Sequence, residues 1–302
     1  MRDLLMDIIA PMRPAFLMSD PSSVALAVGV ALWSGYSINL FHLLLVLIGA
    51  LATQASVNAL NIYIDFRSGL DLTTIQTPFS GGLPRLRERP QAAPLALAAG
   101  LGTLALVVLI GVYFITVWGW ALLPLGLLGI LLIVAYTPWI TRMPAVSLAA
   151  PGLGVGILMV LGSHFCLTGE YTWPAFWASL VNTWLVSEIL LLNQFPDMEP
   201  DMAHGRRNLV IVVGRKRASI VHSLMLWATY VSIVAGWALG QLPVGALLGL
   251  LTMPMAYQVS RGAYRYADDL EQLFPIQAKN INVAMLTPAL MAIGIFLSVW
   301  LG

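Results

Sequence analysis

Two groups of amides and acids in this chain have the types and spacing to hold a metal ion and the phosphates it binds. Asn58, Asn61 and Asp65 stand at offsets 0, 3 and 7, so on a helix they share one face. Asp71 lies ten residues past Asn61 and rejoins that face only if the helix breaks near Ser68-Gly69, which glycine favours. Far downstream, Asn193, Asp197 and Asp201 stand at offsets 0, 4 and 8, again one helix face. Each group reads Asn-x-x-x-Asp followed by a further Asp, a pattern that points to an internal duplication. Facing each other, the clusters would offer hard oxygen donors: Asn61, Asp65 and Asp71 from one, Asn193, Asp197 and Asp201 from the other. Such donors suit Mg²⁺, which takes one or two carboxylates and completes its shell with phosphate oxygens, so the implied ligand is a diphosphate. Acids at a membrane edge are often merely solvated. Here five of the 14 Asp and Glu, counting Glu199, fall in the two matching patterns, and that favours chemistry.

What must position these side chains is a set of membrane helices. Of the 302 residues 59% are hydrophobic and 10% charged, which excludes a water-soluble globule. The formal net charge of +1 gives no basic excess for nucleic acid, and the single cysteine, Cys166, excludes a disulfide framework or a multi-cysteine metal site. Apolar runs of about 20 residues recur at 21–38, 40–66, 92–117, 118–138, 144–168, 172–196, 217–240, 242–260 and 280–302. The chain is therefore expected to be all-α and polytopic, with about nine transmembrane helices in a single domain over 1–302. Residues 1–20 read as an amphipathic interfacial segment, with Leu4, Leu5, Ile8, Ile9 and Met12 opposite Asp3 and Asp7. No cleaved signal peptide is expected. With nine spans, all 15 Lys and Arg fall on one face of the membrane, which predicts a cytoplasmic N-terminus. The long loops expected on that face, at 67–91, 197–216 and 261–279, place the chemistry at the cytoplasmic surface.

At this point the chain resembles the UbiA superfamily of intramembrane prenyltransferases over nearly its whole length. Asn61 to Asp71 is similar to that family's first motif. Asn193 to Asp201, followed by Gly205-Arg206-Arg207-Asn208-Leu209 and Gly214-Arg215, is similar to its second. Arg13-Pro14, Ala135-Tyr136-Thr137 and the Gly152 to Gly156 stretch fit as well. Ile62, standing where other branches place an acid, and the Asp197 to Asp201 text resemble the menaquinone-type branch, which prenylates 1,4-dihydroxy-2-naphthoate. Pro196, Asn208 and the loop from Thr77 to Gly82 depart from that branch.

The resemblance implies a bundle around a central cavity open sideways to lipid. It implies Mg²⁺-assisted ionisation of an allylic prenyl diphosphate and capture of the carbocation by an electron-rich ring, with water excluded. Asp65, Asp197 and Tyr136 are the expected catalytic residues. Tyr136 would stabilise the cation through its ring face, unless it is a membrane anchor. Asn58, Arg67, Asp71, Glu188, Arg142 and Arg206 are the expected substrate contacts, with topology the alternative for each arginine and a buried polar partner the alternative for Glu188. Ser80-Gly81-Gly82 reads as a phosphate-cradling turn or a flexible lid, and Gly152, Gly154 and Gly156 as close helix packing. The expected partners are a prenyl diphosphate, an aromatic acceptor and membrane lipid, in the cell membrane of a bacterium or archaeon. Two other functions remain open: the same scaffold with a lipid, tetrapyrrole or intramolecular acceptor, or a lipid carrier. A carrier normally breaks or charges its helices at mid-membrane, and the acids here cluster at one surface.

Overall fold

The computed structural model describes residues 2–14, 17, 20–74 and 82–301, and among these every regular element is helical. The first half contains α1 (Arg2–Ile9), α2 (Asp20–Trp33), α3 (Leu40–Ser68), α4 (Leu70–Thr73), α5 (Pro84–Glu88), α6 (Ala93–Trp118), α7 (Leu123–Ala135) and α8 (Pro144–Pro151). A π-helical stretch, Gly152–Leu158, joins α8 to α9 (Met159–Thr168). Then come α10 (Trp173–Asn193), α11 (Met198–Ala203), α12 (Leu209–Val213), α13 (Arg215–Ala238), α14 (Met253–Arg265) and α15 (Leu270–Leu301).

Among the described residues six stretches are long and apolar enough to cross a membrane: Leu40–Ser68, Pro90–Trp118, Pro144–Thr168, Trp173–Asn193, Arg215–Ala238 and Leu270–Leu301. The other three expected spans fall on shorter apolar helices, Asp20–Trp33 and Trp120–Ala135, and on a 3₁₀ helix, Val244–Thr252, that runs into α14. The protein is an integral membrane protein on these grounds.

Local chemistry sets the ends that matter. The Asn39 side chain caps α3 by accepting from the backbone N–H groups of Phe41 and His42, at 2.9 and 3.2 Å. With 29 residues, α3 extends about 43 Å at 1.5 Å per residue, longer than the hydrocarbon layer. Its last turns, bearing Asn61 and Asp65, therefore reach the interface. It stops at Gly69, whose φ of +83° is a left-handed C-cap. The expected break at Ser68-Gly69 is there, and it swings Asp71 on α4 back toward Asp65.

The second motif is built differently from the expectation. Asn193, Asp197 and Asp201 do not share one continuous helix, because α10 ends at Asn193 and α11 begins only at Met198. Pro196, which lacks an N–H and clashes with the preceding turn, accounts for the break. Asp197 stands at the N-cap position of α11, and Asp201 lies one turn inside it, its N–H donating to the Asp197 carbonyl at 2.9 Å.

The loops also differ from expectation. The stretch 197–216 holds α11 and α12, and the expected 261–279 loop shrinks to 266–269 because α14 continues to Arg265 and α15 starts at Leu270. Charged and polar residues end an apolar run without ending a helix. The loop from Thr77 to Gly81 and the turn Ser80-Gly81 lie outside the described residues.

Around the bundle α2 packs on α3, α9, α10 and α15, α3 on α6, α10 on α13, and α13 on α14, so α15 closes against α2. Close approach at two crossings depends on glycine. A Cβ at Gly152 or Gly156 would overlap the backbone of Thr183 on α10, as the small-residue reading of that stretch expects. At Gly245 and Gly294, backbone meets backbone in the same way. Gly154 differs: it has no heavy atom within 4 Å of its Cβ position and instead lines a cavity.

Candidate active site

That cavity, about 830 Å³, runs between α3, α6, α7, the π-helical stretch and α10. Leu45, Phe114, Leu122 and Cys166 lie at one end, Asp65, Asp71, Asp197 and Asp201 at the other. Leu45 and Asp65 are 20 positions apart on α3, which makes the cavity about 30 Å deep at 1.5 Å per residue. Its length is mostly apolar, with Thr53, Gln54 and Ser163 set along it. Its acids gather where α3, α4, α10 and α11 end.

Asp65, Asp71 and Asp201 are buried, and Asp197 is half-buried. Arg206, in the turn after α11, donates to Asp65 and, at 3.1 Å, to Asp201. The Asn208 amide donates to the other Asp201 oxygen at 3.0 Å. Asn61 donates to Asp65 at 2.9 Å and to the Thr137 hydroxyl at 3.2 Å. Asn193 lines the cavity and accepts a 3.4 Å contact from Gln277 on α15. Tyr136 lines the cavity together with Arg206.

Arg13 is the residue that sequence reasoning assigned to topology and the structure assigns to the site. Arg13 is half-buried and lines the cavity, within electrostatic range of Asp71, Asp65 and Asp197. Burial lowers its pKa, and the three acids oppose that shift. Its φ of +50° is the one positive value among described non-glycine residues, a strained backbone of the kind that clusters at functional sites. The familiar Arg13-Pro14 dipeptide was the available signal.

The electrostatics are those of an acid-rich pocket. Burial, with Asp65 adding to it, pushes the Asp71 carboxyl up to about 6. Burial likewise raises the pKa of Asp201 despite Arg206. Burial pulls the Arg206 pKa down, but Asp65 and Asp201 outweigh it and hold the guanidinium firmly charged. Four carboxylates against two guanidiniums leave an excess of two negative charges when all are ionised. One buried Asp71 oxygen has no hydrogen-bond partner among the described residues. Three His, Cys, Asp or Glu side chains nowhere converge tightly enough among the described residues to chelate an ion unaided. The donor set is nevertheless all oxygen and electron-rich, which fits Mg²⁺ sharing its shell with a diphosphate.

Three expected substrate contacts, Arg67, Arg142 and Glu188, sit elsewhere, and a fourth, Asn58, is engaged in structure. Arg67 and Arg142 are exposed and do not line the cavity. Arg67 is two residues past Asp65, and i, i+2 positions point to different sides of a helix. Glu188 is wholly buried between helices, accepting from Asn280 at 2.7 Å and pairing with His222 at 2.6 Å, so the buried-partner alternative is the one found. Asn58 lines the cavity wall, but its amide donates to the Met12 carbonyl at 3.0 Å, bracing the turn before Arg13.

The described helices thus form a bundle around a long, mostly apolar cavity with an acid-lined end. Residues 22–300 match the model of the UbiA prenyltransferase family, and the chain belongs to that family as a prenyltransferase. It is 28% identical over 251 residues to the 1,4-dihydroxy-2-naphthoate octaprenyltransferase of Bacillus subtilis strain 168, covering 80% of this chain and 77% of that protein. In fold it is similar to the apo structure of a UbiA homologue from Aeropyrum pernix K1, with TM-score 0.67 and 18% identity, covering 93% of this chain and 97% of the other. It is also similar to a UbiA homologue from Archaeoglobus fulgidus bound to DMAPP and Mg²⁺, with TM-score 0.59 and 15% identity over 96% and 98% of the two chains.

Proposed function

We propose that this protein transfers a polyprenyl group from an allylic prenyl diphosphate to an aromatic quinone precursor, 1,4-dihydroxy-2-naphthoate. The observation that carries this reading is a cavity that ends in four acids and two arginines and is mostly apolar along the rest of its depth. The named function of the Bacillus subtilis relative supports the acceptor.

Asp65, Asp71, Asp197 and Asp201, with the amide oxygens of Asn61 and Asn193, would hold Mg²⁺. When bound, it supplies Lewis-acid neutralisation of the diphosphate. Arg13 and Arg206 bind the diphosphate oxygens and stabilise the charge that builds as the allylic C–O bond breaks and its electron pair leaves with the diphosphate. Tyr136 presents its ring to the allylic cation at the cavity wall. Apolar walls exclude water, so an aromatic ring carbon, not water, supplies the electron pair for the new bond. About nine helices cross the membrane in this reading, with the N-terminus and the acid-lined end on the cytoplasmic side, as the placement of Lys and Arg supports.

Purified protein given radiolabelled polyprenyl diphosphate should prenylate 1,4-dihydroxy-2-naphthoate and leave 4-hydroxybenzoate largely untouched. Equal use of both, or transfer only to a lipid or tetrapyrrole acceptor, would overturn the acceptor assignment.

A further inference from the structure

Residue Asp7 belongs to a short surface helix, yet it is 3% exposed. On α1 the apolar Leu4, Leu5, Met6 and Ile9 face outward, while Asp3 and Asp7, one turn apart, meet two arginines of α5 and the turn that follows it. Arg85 donates through Nε to one Asp7 oxygen, and through Nη2 to the Asp3 carboxylate at 3.2 Å and the Asp3 carbonyl at 2.9 Å. Arg89 takes the other Asp7 oxygen at 3.3 Å and reaches Asp3 at 3.5 Å. Each oxygen of the buried carboxylate is thus held by a different guanidinium.

The helix gripped in this way has five residues, too few to persist without tertiary contacts. It is pinned by Leu86, which is buried with Ile62, Ala92, Ala93 and Ala96, and by the α1 clasp. Its other side faces the site. Arg87 Nη2 donates to the Asp71 carbonyl and, at 2.8 Å, to the Thr74 carbonyl, closing the end of α4. Gly82, just ahead of α5, backs directly onto the Asp71 side chain, leaving no room for a Cβ.

We infer that Asp7 is a positioning residue: through Arg85 and Arg89 it fixes α5, and α5 through Arg87 and Gly82 sets where the Asp71 carboxylate stands in the metal–diphosphate site. This rests on the reading of Asp71 as a ligand of that site. The alternative is that the clasp merely anchors the N-terminus. An anchor would change stability without changing metal affinity.

The full chain in detergent, with Mn²⁺ as the spin probe and inorganic diphosphate present, separates the two by electron paramagnetic resonance. Asp7→Asn should weaken Mn²⁺ binding by about tenfold, the usual effect of removing a partner that orients a ligand. It should raise the Mg²⁺ needed for half-maximal turnover while keeping kcat at saturating metal, and Asp7→Glu should restore both. Arg87→Gln should weaken Mn²⁺ binding similarly and serves if Asp7→Asn does not fold. Wild-type Mn²⁺ affinity in the Asp7 and Arg87 variants, with affinity lost in Asp71→Ala, would overturn the clasp alone. Wild-type affinity in Asp71→Ala would overturn the assignment of Asp71 itself.

Discussion

Arg206 donates to the Asp65 carboxylate although 141 positions separate them in sequence, and this contact joins the first acidic motif to the segment that carries the second. A second bond from the same guanidinium, to Asp201 at 3.1 Å, makes Arg206 the bridge between α3 and α11. Removing it leaves two buried carboxylates facing each other and deprives the leaving diphosphate of a planar donor. Arg206→Ala should therefore lower kcat/KM by roughly 10²–10³. Arg206→Lys should recover only part of the loss, because an ammonium cannot span both acids. Steady-state kinetics on the two variants check this.

Glycine 82 offers a finer test of the geometry. An added Cβ there would overlap Asp71, whereas one at Gly154, also beside the cavity, would meet nothing within 4 Å. Gly82→Ala should cut turnover at limiting Mg²⁺ with the melting temperature nearly unchanged, and Gly154→Ala should leave turnover close to wild type. Measuring both at low and saturating metal distinguishes a displaced ligand from general damage.

The buried Glu188–His222 pair predicts the opposite phenotype. Truncating one partner leaves a polar group stranded among α10, α13 and α15, outside the lining of the cavity. Glu188→Ala should destabilise the protein by about 3–5 kcal/mol, seen as a lowered melting temperature in detergent. The fraction that remains folded should keep its KM for prenyl diphosphate.

The helices and the two acidic motifs were legible in the sequence because run length and the spacing of Asn61, Asp65, Asn193 and Asp197 are local properties. The inward-facing arginines were legible only in part: Arg206 was expected at the site, but together with Arg67 and Arg142, which lie outside it, and Arg13 was not expected there. Arg13, Arg67, Arg142 and Arg206 look alike in a count of basic loop residues, and only tertiary packing turns the first and last inward. Pro196 did signal a break after α10, but the even spacing of Asn193, Asp197 and Asp201 reads equally well as a continuous helix; the turn at Pro196 brings the acids to the cavity by another path. Asp7 illustrates a third limit. An acid on an amphipathic helix normally faces water, and its burial depends on arginines 78 and more positions away.

The measurement that bears most directly on the two-motif site is diphosphate release and prenylated product formation by Asp65→Ala and Asp197→Ala, each shown to be folded by its melting temperature. Both variants should lose turnover by several orders of magnitude, as should the wild-type protein in EDTA, with Mg²⁺ restoring only the wild type. Near wild-type turnover by either variant, or activity that persists without a divalent metal, would contradict the account.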